Sequence, residues 1–311
     1  MQTFLQADTR HQAALQPQAA IGPAVRAHAS HIVAEARAVL TDPKRSNGEA
    51  VHEFRRALKQ WRALIRLLAP FIADATRWRR EGRDHARTLS PARDGQAALN
   101  AFDDLIDKGL VLPERSVAII RSRLEGLRAS EEQAVLTPEL REPIVSWLDA
   151  AAGAVELWPL GAIDFSAIAA RLTDGYRSAR RNLPDDWSQA SAEQLHGLRR
   201  RVVDHRYQME LIEPLWPRFG RMWIDEAERV RNRLGKCQDL AVLEQLMSVH
   251  QPLARWRARL LPACVERQTA LAYRAARIAR RLFAERPKAF RDRLEALWAA
   301  PSGKRPTASS K

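Results

Sequence analysis

The residues best placed to do chemistry lie between Val51 and Leu68, in the stretch VHEFRRALKQWRALIRLL. With His52 as the zero direction and roughly 100° per residue, Arg55, Arg56, Lys59, Arg62 and Arg66 fall in one sector about 120° wide. Glu53, the one carboxylate of the stretch, points outside that sector. Arginine forks take two oxygens of a phosphoryl or carboxylate group at once, so this face suits anion binding. The competing explanation is a solvated cationic face with no ligand. Solvated helices usually mix signs, because like charges four residues apart cost a few tenths of a kcal/mol each. Five like charges beside a histidine therefore imply an absent polyanion.

The element that must carry these groups is an amphipathic helix. Val51, Phe54, Leu58, Trp61, Ile65 and Leu68 form an apolar stripe on its other side, suited to a core. Ser46-Asn47-Gly48 reads as the turn before it and Pro70 as its end. Apolar periodicity predicts further helices over about 24–40, 74–90, 92–107, 113–127, 138–155, 165–183, 192–212, 219–234, 238–250, 253–284 and 287–299. No strand-like alternation of useful length occurs, so the fold class is all-α. Residues 1–21 and 301–311 read as flexible tails, the second basic.

The chain has 311 residues and a formal charge of +14, with arginine the main cation. That balance favours an anionic partner: nucleic acid, a membrane surface or a polyphosphorylated ligand. Cys237 and Cys264 stand far apart and match no CxxC pattern, which argues for a reducing compartment and against a cysteine zinc site. The sequence holds neither a membrane-spanning apolar run nor a signal peptide, so a cytoplasmic protein is expected.

The second half echoes the first. Leu195-His196-x-x-Arg199-Arg200 follows Val51-His52-x-x-Arg55-Arg56 at an offset of 144 positions, and Arg206 matches Arg62 at the same offset. Leu234-Gly-Lys-Cys-Gln-Asp239 matches Leu89-Ser-Pro-Ala-Arg-Asp94. A duplicated helical unit follows, with repeats over 22–158 and 159–300. The copies are unequal, because Lys59 and Arg66 become Val203 and Glu210. The second stripe is thus His196, Arg199, Arg200 and Arg206, with Tyr207 beside it. Damage to the first helix should therefore weaken anion binding more than damage to the second.

The His-x-x-Arg-Arg head of each duplicated helix and the L-x-x-x-[RQ]-D element some forty residues on resemble the CHAD family, the conserved histidine α-helical domain. GYRSARRNLP, LHGLRRRVVDHRYQMELI, LGKCQDLAVLEQL and RLFAERPKAFRDRLEALW carry the resemblance in the second half. It implies two four-helix bundles related by a pseudo-twofold axis around a central basic pore or cleft. It also implies binding of inorganic polyphosphate at polyphosphate granules. No E-x-E-x-K segment of a fused triphosphate tunnel domain is present, so the chain resembles a stand-alone member. His205 stands where the family's second copy carries a cation.

On this reading the polyphosphate contacts are His52, Arg55, Arg56, Lys59, Arg62, Arg66, His196, Arg199, Arg200, Arg206 and Tyr207. Arg83 and Arg87 on the Trp78 helix, and Tyr176 and Arg180 on the helix before His196, widen the basic surface as secondary contacts, together with Arg77, Arg80, Arg229, Arg231, Arg233 and Lys236. Asp94 and Asp239 are structural, orienting pore arginines or capping helices. No cofactor and no metal are expected, and no enzymatic activity. Asp84-His85 and Asp204-His205 reverse the His-Asp order of metal phosphohydrolases, and no Gly-rich phosphate loop occurs. A nucleic-acid-binding module stands second and a metal-dependent phosphohydrolase third. The nine tryptophans sit mostly among apolar neighbours and read as core rather than base-stacking platforms.

Overall fold

A computed structural model describes residues 20–89, 94–133 and 136–300. The expected tails lie almost wholly outside the described residues, as does Arg93 of the first L-x-x-x-[RQ]-D element. The described chain is all helix, with no strand. In order come α1 (Ile21–Thr41), α2 (Asn47–Leu68), α3 (Ala75–Thr88), α4 (Asp94–Asp107), α5 (Glu114–Gln133) and α6 (Pro138–Leu157). The second half supplies α7 (Phe165–Arg181), α8 (Ala192–Ile212), α9 (Pro217–Gln245), α10 (Arg257–Leu282) and α11 (Pro287–Ala299).

Two helices that carry the basic stripes begin in the same way. Ser46 accepts from the Glu49 amide while Glu49 returns a bond to the Ser46 amide; Ser191 and Gln194 repeat the exchange at α8. Each capping box satisfies backbone N–H groups that would otherwise lack partners. The apolar stripe of α2 is buried as its spacing requires, with Phe54, Leu58, Trp61, Ile65 and Leu68 all in the core. Trp61 is the hub. Its ring stacks on Trp158 at 5.7 Å and meets Trp78 and Trp147 edge-on at 6.2 Å each. These contacts seat α3 and α6 against α2, and they show four of the tryptophans to be core.

The helices do not sort into two separate bundles at residue 158. α4, in the first half, packs against α9 and touches α10. Asp104 of α4 accepts from Arg267 at 2.7 Å and from Lys236 at 2.6 Å. One continuous apolar core runs through both halves. α4 finds its apolar partner across the midline, so the two expected repeats share one core.

A second correction concerns α9. The helices expected at 219–234 and 238–250 are one helix, Pro217–Gln245. Gly235 does not end it, since neighbouring turns bury Leu234 and Cys237 and outweigh the glycine's cost of about 1 kcal/mol. Gly22 shows the opposite use of the residue. A Cβ there would lie 1.9 Å from the Leu160 carbonyl oxygen, so glycine permits α1 to close on the turn after α6.

Candidate functional site

α2 and α8 pack directly against each other. The Gln208 amide donates to the Ala63 carbonyl at 3.4 Å, and Arg66 pairs with Asp204 at 3.1 Å. The stripes therefore meet through the C-terminal part of α2. Ala63 lies eleven residues beyond His52 and Gln208 twelve beyond His196, so each histidine is about 17 Å along its own helix from the crossing. His52 is exposed, 4.0 Å from Glu53. His196 Nδ1 is 3.0 Å from Gln238 Oε1, which Arg199 also approaches at 3.4 Å. That histidine lines a cleft of about 340 Å³ with Asp94 and Gln238. The two histidines, expected to head a shared site, lie away from this crossing, which has a centre of its own.

That centre is Asp204. Arg62, Arg66, Arg200 and Arg201 all act electrostatically on its carboxylate. Arg79, on α3, acts in turn on Arg62 and Arg201. Four guanidinium groups thus act on one carboxylate, and a fifth acts on two of those four. Burial lowers the pKa of Arg62, and Arg66, Arg200 and Arg79 add to the push while Asp204 opposes it. Arg201 is lowered in the same way, by burial first and then by Arg66. Burial raises the Asp204 carboxyl against the pull of the arginines. The arrangement is under-neutralised, and an anion with closely spaced charges would relieve it.

Arg79 and Arg201 escaped the sequence reading. Arg201 sits one residue past the Arg199-Arg200 pair, about 100° off their direction. Arg79 follows Trp78, whose ring packs on Trp61 of α2. Only the docking of three helices makes them neighbours.

The other expected contacts divide by partner. Arg56 is held by Glu35 at 2.6 Å and Glu53 at 2.9 Å, so Glu53 does reach the basic face despite its helical angle. Its side chain is long enough to fold back on Arg56, an i,i+3 neighbour. Arg55 donates to the Leu89 carbonyl at 3.2 Å, and Lys59 is half-buried. Arg206 is matched by Glu210 at 3.0 Å and Glu228 at 2.8 Å and lies over the Tyr207 ring. Two carboxylates compensate its charge, which ties it to structure rather than to the arginine centre. Arg83 pairs with Asp84 at 2.9 Å and is exposed with Arg87.

Tyr176 is 0 % exposed, stacked on Phe290 at 4.3 Å and bonded to the Glu285 carbonyl at 3.2 Å. Arg180 donates to the same carbonyl at 2.9 Å. Tyr176 is therefore a core residue, a correction to its place among the contacts. His205 is likewise buried, amid Tyr176, Phe283 and Trp223, and its Nε2 accepts from the Trp223 indole at 2.8 Å. Burial pushes its pKa down to about 3, so the ring is neutral and supplies no cation. Among the described residues, no three His, Cys, Asp or Glu side chains converge as a metal site. No described helix is long and apolar enough to cross a membrane.

An all-helical fold with arginines converging where two His-x-x-Arg-Arg helices cross defines the class. The CHAD domain profile matches residues 23–248, and the chain belongs to the CHAD family. The fold is similar to the crystal structure of the CHAD domain from the plant Ricinus communis, with a TM-score of 0.53 and 21 % identity over 92 % of this chain and 95 % of that one. A comparison with curated proteins finds no match.

Proposed function

We propose that this protein binds inorganic polyphosphate, with no chemical turnover, along a basic cleft centred on Arg62, Arg66, Arg79, Arg200 and Arg201. One observation carries the reading: Arg62, Arg66, Arg200 and Arg201 of α2 and α8 act on the carboxylate of Asp204, with Arg79 of α3 acting on two of them. Polyphosphate presents about one charge per unit, so a run of it supplies closely spaced anions while Asp204 keeps the forks oriented. Counterion release then drives binding and makes it steeply salt-dependent. Membership of the CHAD family, one associated with polyphosphate, supports the same conclusion. Residence at polyphosphate granules in the cytoplasm belongs to this proposal. The pseudo-twofold duplication also belongs to it, supported by the paired capping boxes at Ser46 and Ser191.

Competition binding tests it. Labelled long-chain polyphosphate is bound to the full chain at physiological salt and challenged with DNA and RNA at equal phosphate concentration. The expected result is retention of polyphosphate. Displacement by either nucleic acid at parity would favour a nucleic-acid module instead.

A further inference from the structure

The side of α9 turned away from α8 carries cations that the arginine centre leaves out. Glu228 and Arg231 pair with each other on the α8 side, where Glu228 also holds Arg206 at 2.8 Å. Arg229 and Arg233 stand two residues either side of Arg231, about 200° round the helix from it, so they point away from α8. α10 packs along α9. The Cys237 thiol donates to the Gln268 carbonyl at 3.8 Å, and Arg274 acts on Arg233, so the two helices run antiparallel. On α10, Ala272, Ala275, Ala276 and Ala279 are buried. Arg274, Arg277 and Arg281 are exposed and fall in a sector about 60° wide on its outer side. The row they make is about 10 Å long. Antiparallel packing sets Arg233 level with its start and Arg229 level with its middle.

This surface is short of negative charge. Glu226 pairs with Arg229 and acts on Arg233. Among the described residues no carboxylate pairs with Arg274, Arg277 or Arg281. Burial lowers the pKa of Arg233, and Arg229 and Arg274 add to the push while Glu226 opposes it. Arg277 and Arg281 are four residues apart, a like-charge spacing that destabilises a helix unless an anion relieves it. Single strands of nucleic acid are held by successive aromatic faces, whereas here one exposed ring, Tyr273, stands beside the row. A polymer of bare phosphates needs no such rings.

We propose that α9 and α10 form a second polyphosphate face, made of Arg229, Arg233, Arg274, Arg277 and Arg281, and that the protein bridges two strands by holding one on each face. α8, which carries Arg200 and Arg201 of the arginine centre, lies on the opposite side of α9. One molecule thus ties two strands together, and many molecules tie long chains into a cohesive network. The inference rests on the polyphosphate reading above. The outer face is the weaker of the two, because its α10 arginines are fully solvated.

The test titrates the full chain at physiological salt, with short-chain polyphosphate by calorimetry and with long-chain polyphosphate by light scattering. Short chains should fill two sites on the wild type. Long chains should be cross-linked into scattering particles that redissolve in excess polyphosphate, when every face has a strand of its own. Arg274→Ala/Arg277→Ala/Arg281→Ala changes exposed positions to a good helix former and should fold normally. It should keep the central site within about twofold while losing the second site and the scattering. Arg115→Ala/Arg257→Ala/Arg259→Ala removes the same charge from exposed positions elsewhere and should scatter as the wild type does. Undiminished scattering in the first variant, or equal loss in the charge-matched one, would overturn the proposal. So would displacement of the second short chain by DNA at equal phosphate concentration, which would make this a nucleic-acid face. A wild type that binds one short chain and never scatters sinks the bridge alone; one that binds none sinks the proposed function as well.

Discussion

At the scale of the residue, what decides a side chain's role is the company that the fold gives it. Arg62 and Arg206 are equivalent in the repeat and alike in type. Arg62 faces other arginines, whereas Arg206 is held between Glu210 and Glu228. Arg206→Ala should therefore lower the melting temperature while leaving polyphosphate affinity within about twofold. Arg62→Ala should do the reverse, because removing one phosphate-binding cation makes the salt slope shallower by roughly 0.7 to 0.9. A fall in affinity for Arg206→Ala without loss of stability would contradict this.

His205 makes a second prediction at this scale. Its folded pKa of about 3 lies below the ordinary value of 6.5, so the unfolded chain binds the proton more readily. Stability from this group is present above pH 6.5 and is lost as pH falls toward 3. Asp204, raised by burial, works in the opposite sense, so the two must be separated by mutation. His205→Gln keeps an acceptor for Trp223 and removes the titration. Between pH 7 and pH 5 the wild type should lose about 2 kcal/mol more than the variant in denaturant unfolding. Parallel stability curves would sink the assignment.

At the scale of the element, most of the architecture was legible. Periodicity, proline and turn residues located α2 and α8 to within a few residues, and the apolar stripe of α2 identified its buried face. The basic face was legible only in its residue types. Helical angle placed Glu53 away from the cations, yet its flexible side chain reaches Arg56. Helical angle also grouped Tyr207 with His196 without registering the ten residues between them along the axis. Arg79 and Arg201 were invisible because their proximity depends on how α3 and α8 dock on α2. The two capping boxes are a testable property of the elements themselves. Ser46→Ala and Ser191→Ala should each cost about 1 kcal/mol in thermal or denaturant unfolding, with the binding site unchanged. A cost near zero at either would show that tertiary packing alone holds that helix start.

At the scale of the whole molecule, the halves are interlocked rather than joined end to end. α4 packs on α9, and Asp104 clamps Arg267 and Lys236 from the other half. Asp104 and Arg267 are 11 % and 10 % exposed, so removing the carboxylate strands a buried guanidinium. Asp104→Ala should cost about 3 kcal/mol. Hydrogen exchange should show α4 losing protection with α9; loss confined to α4 would mean that the halves unfold separately. The interlock matters for function because the arginine centre draws Arg62, Arg66 and Arg79 from one half and Arg200 and Arg201 from the other. The geometry of that centre therefore depends on the relative position of the two halves.

The central claim is that these arginines form one polyphosphate site. The most direct measurement is the affinity of long-chain polyphosphate for the wild type and for Arg62→Ala/Arg201→Ala, taken across a range of salt concentrations. The double variant should stay folded, bind at least tenfold more weakly, and show a salt slope shallower by about 1.5, as the removal of two phosphate-binding cations requires. An unchanged affinity and slope in a folded double variant would contradict it.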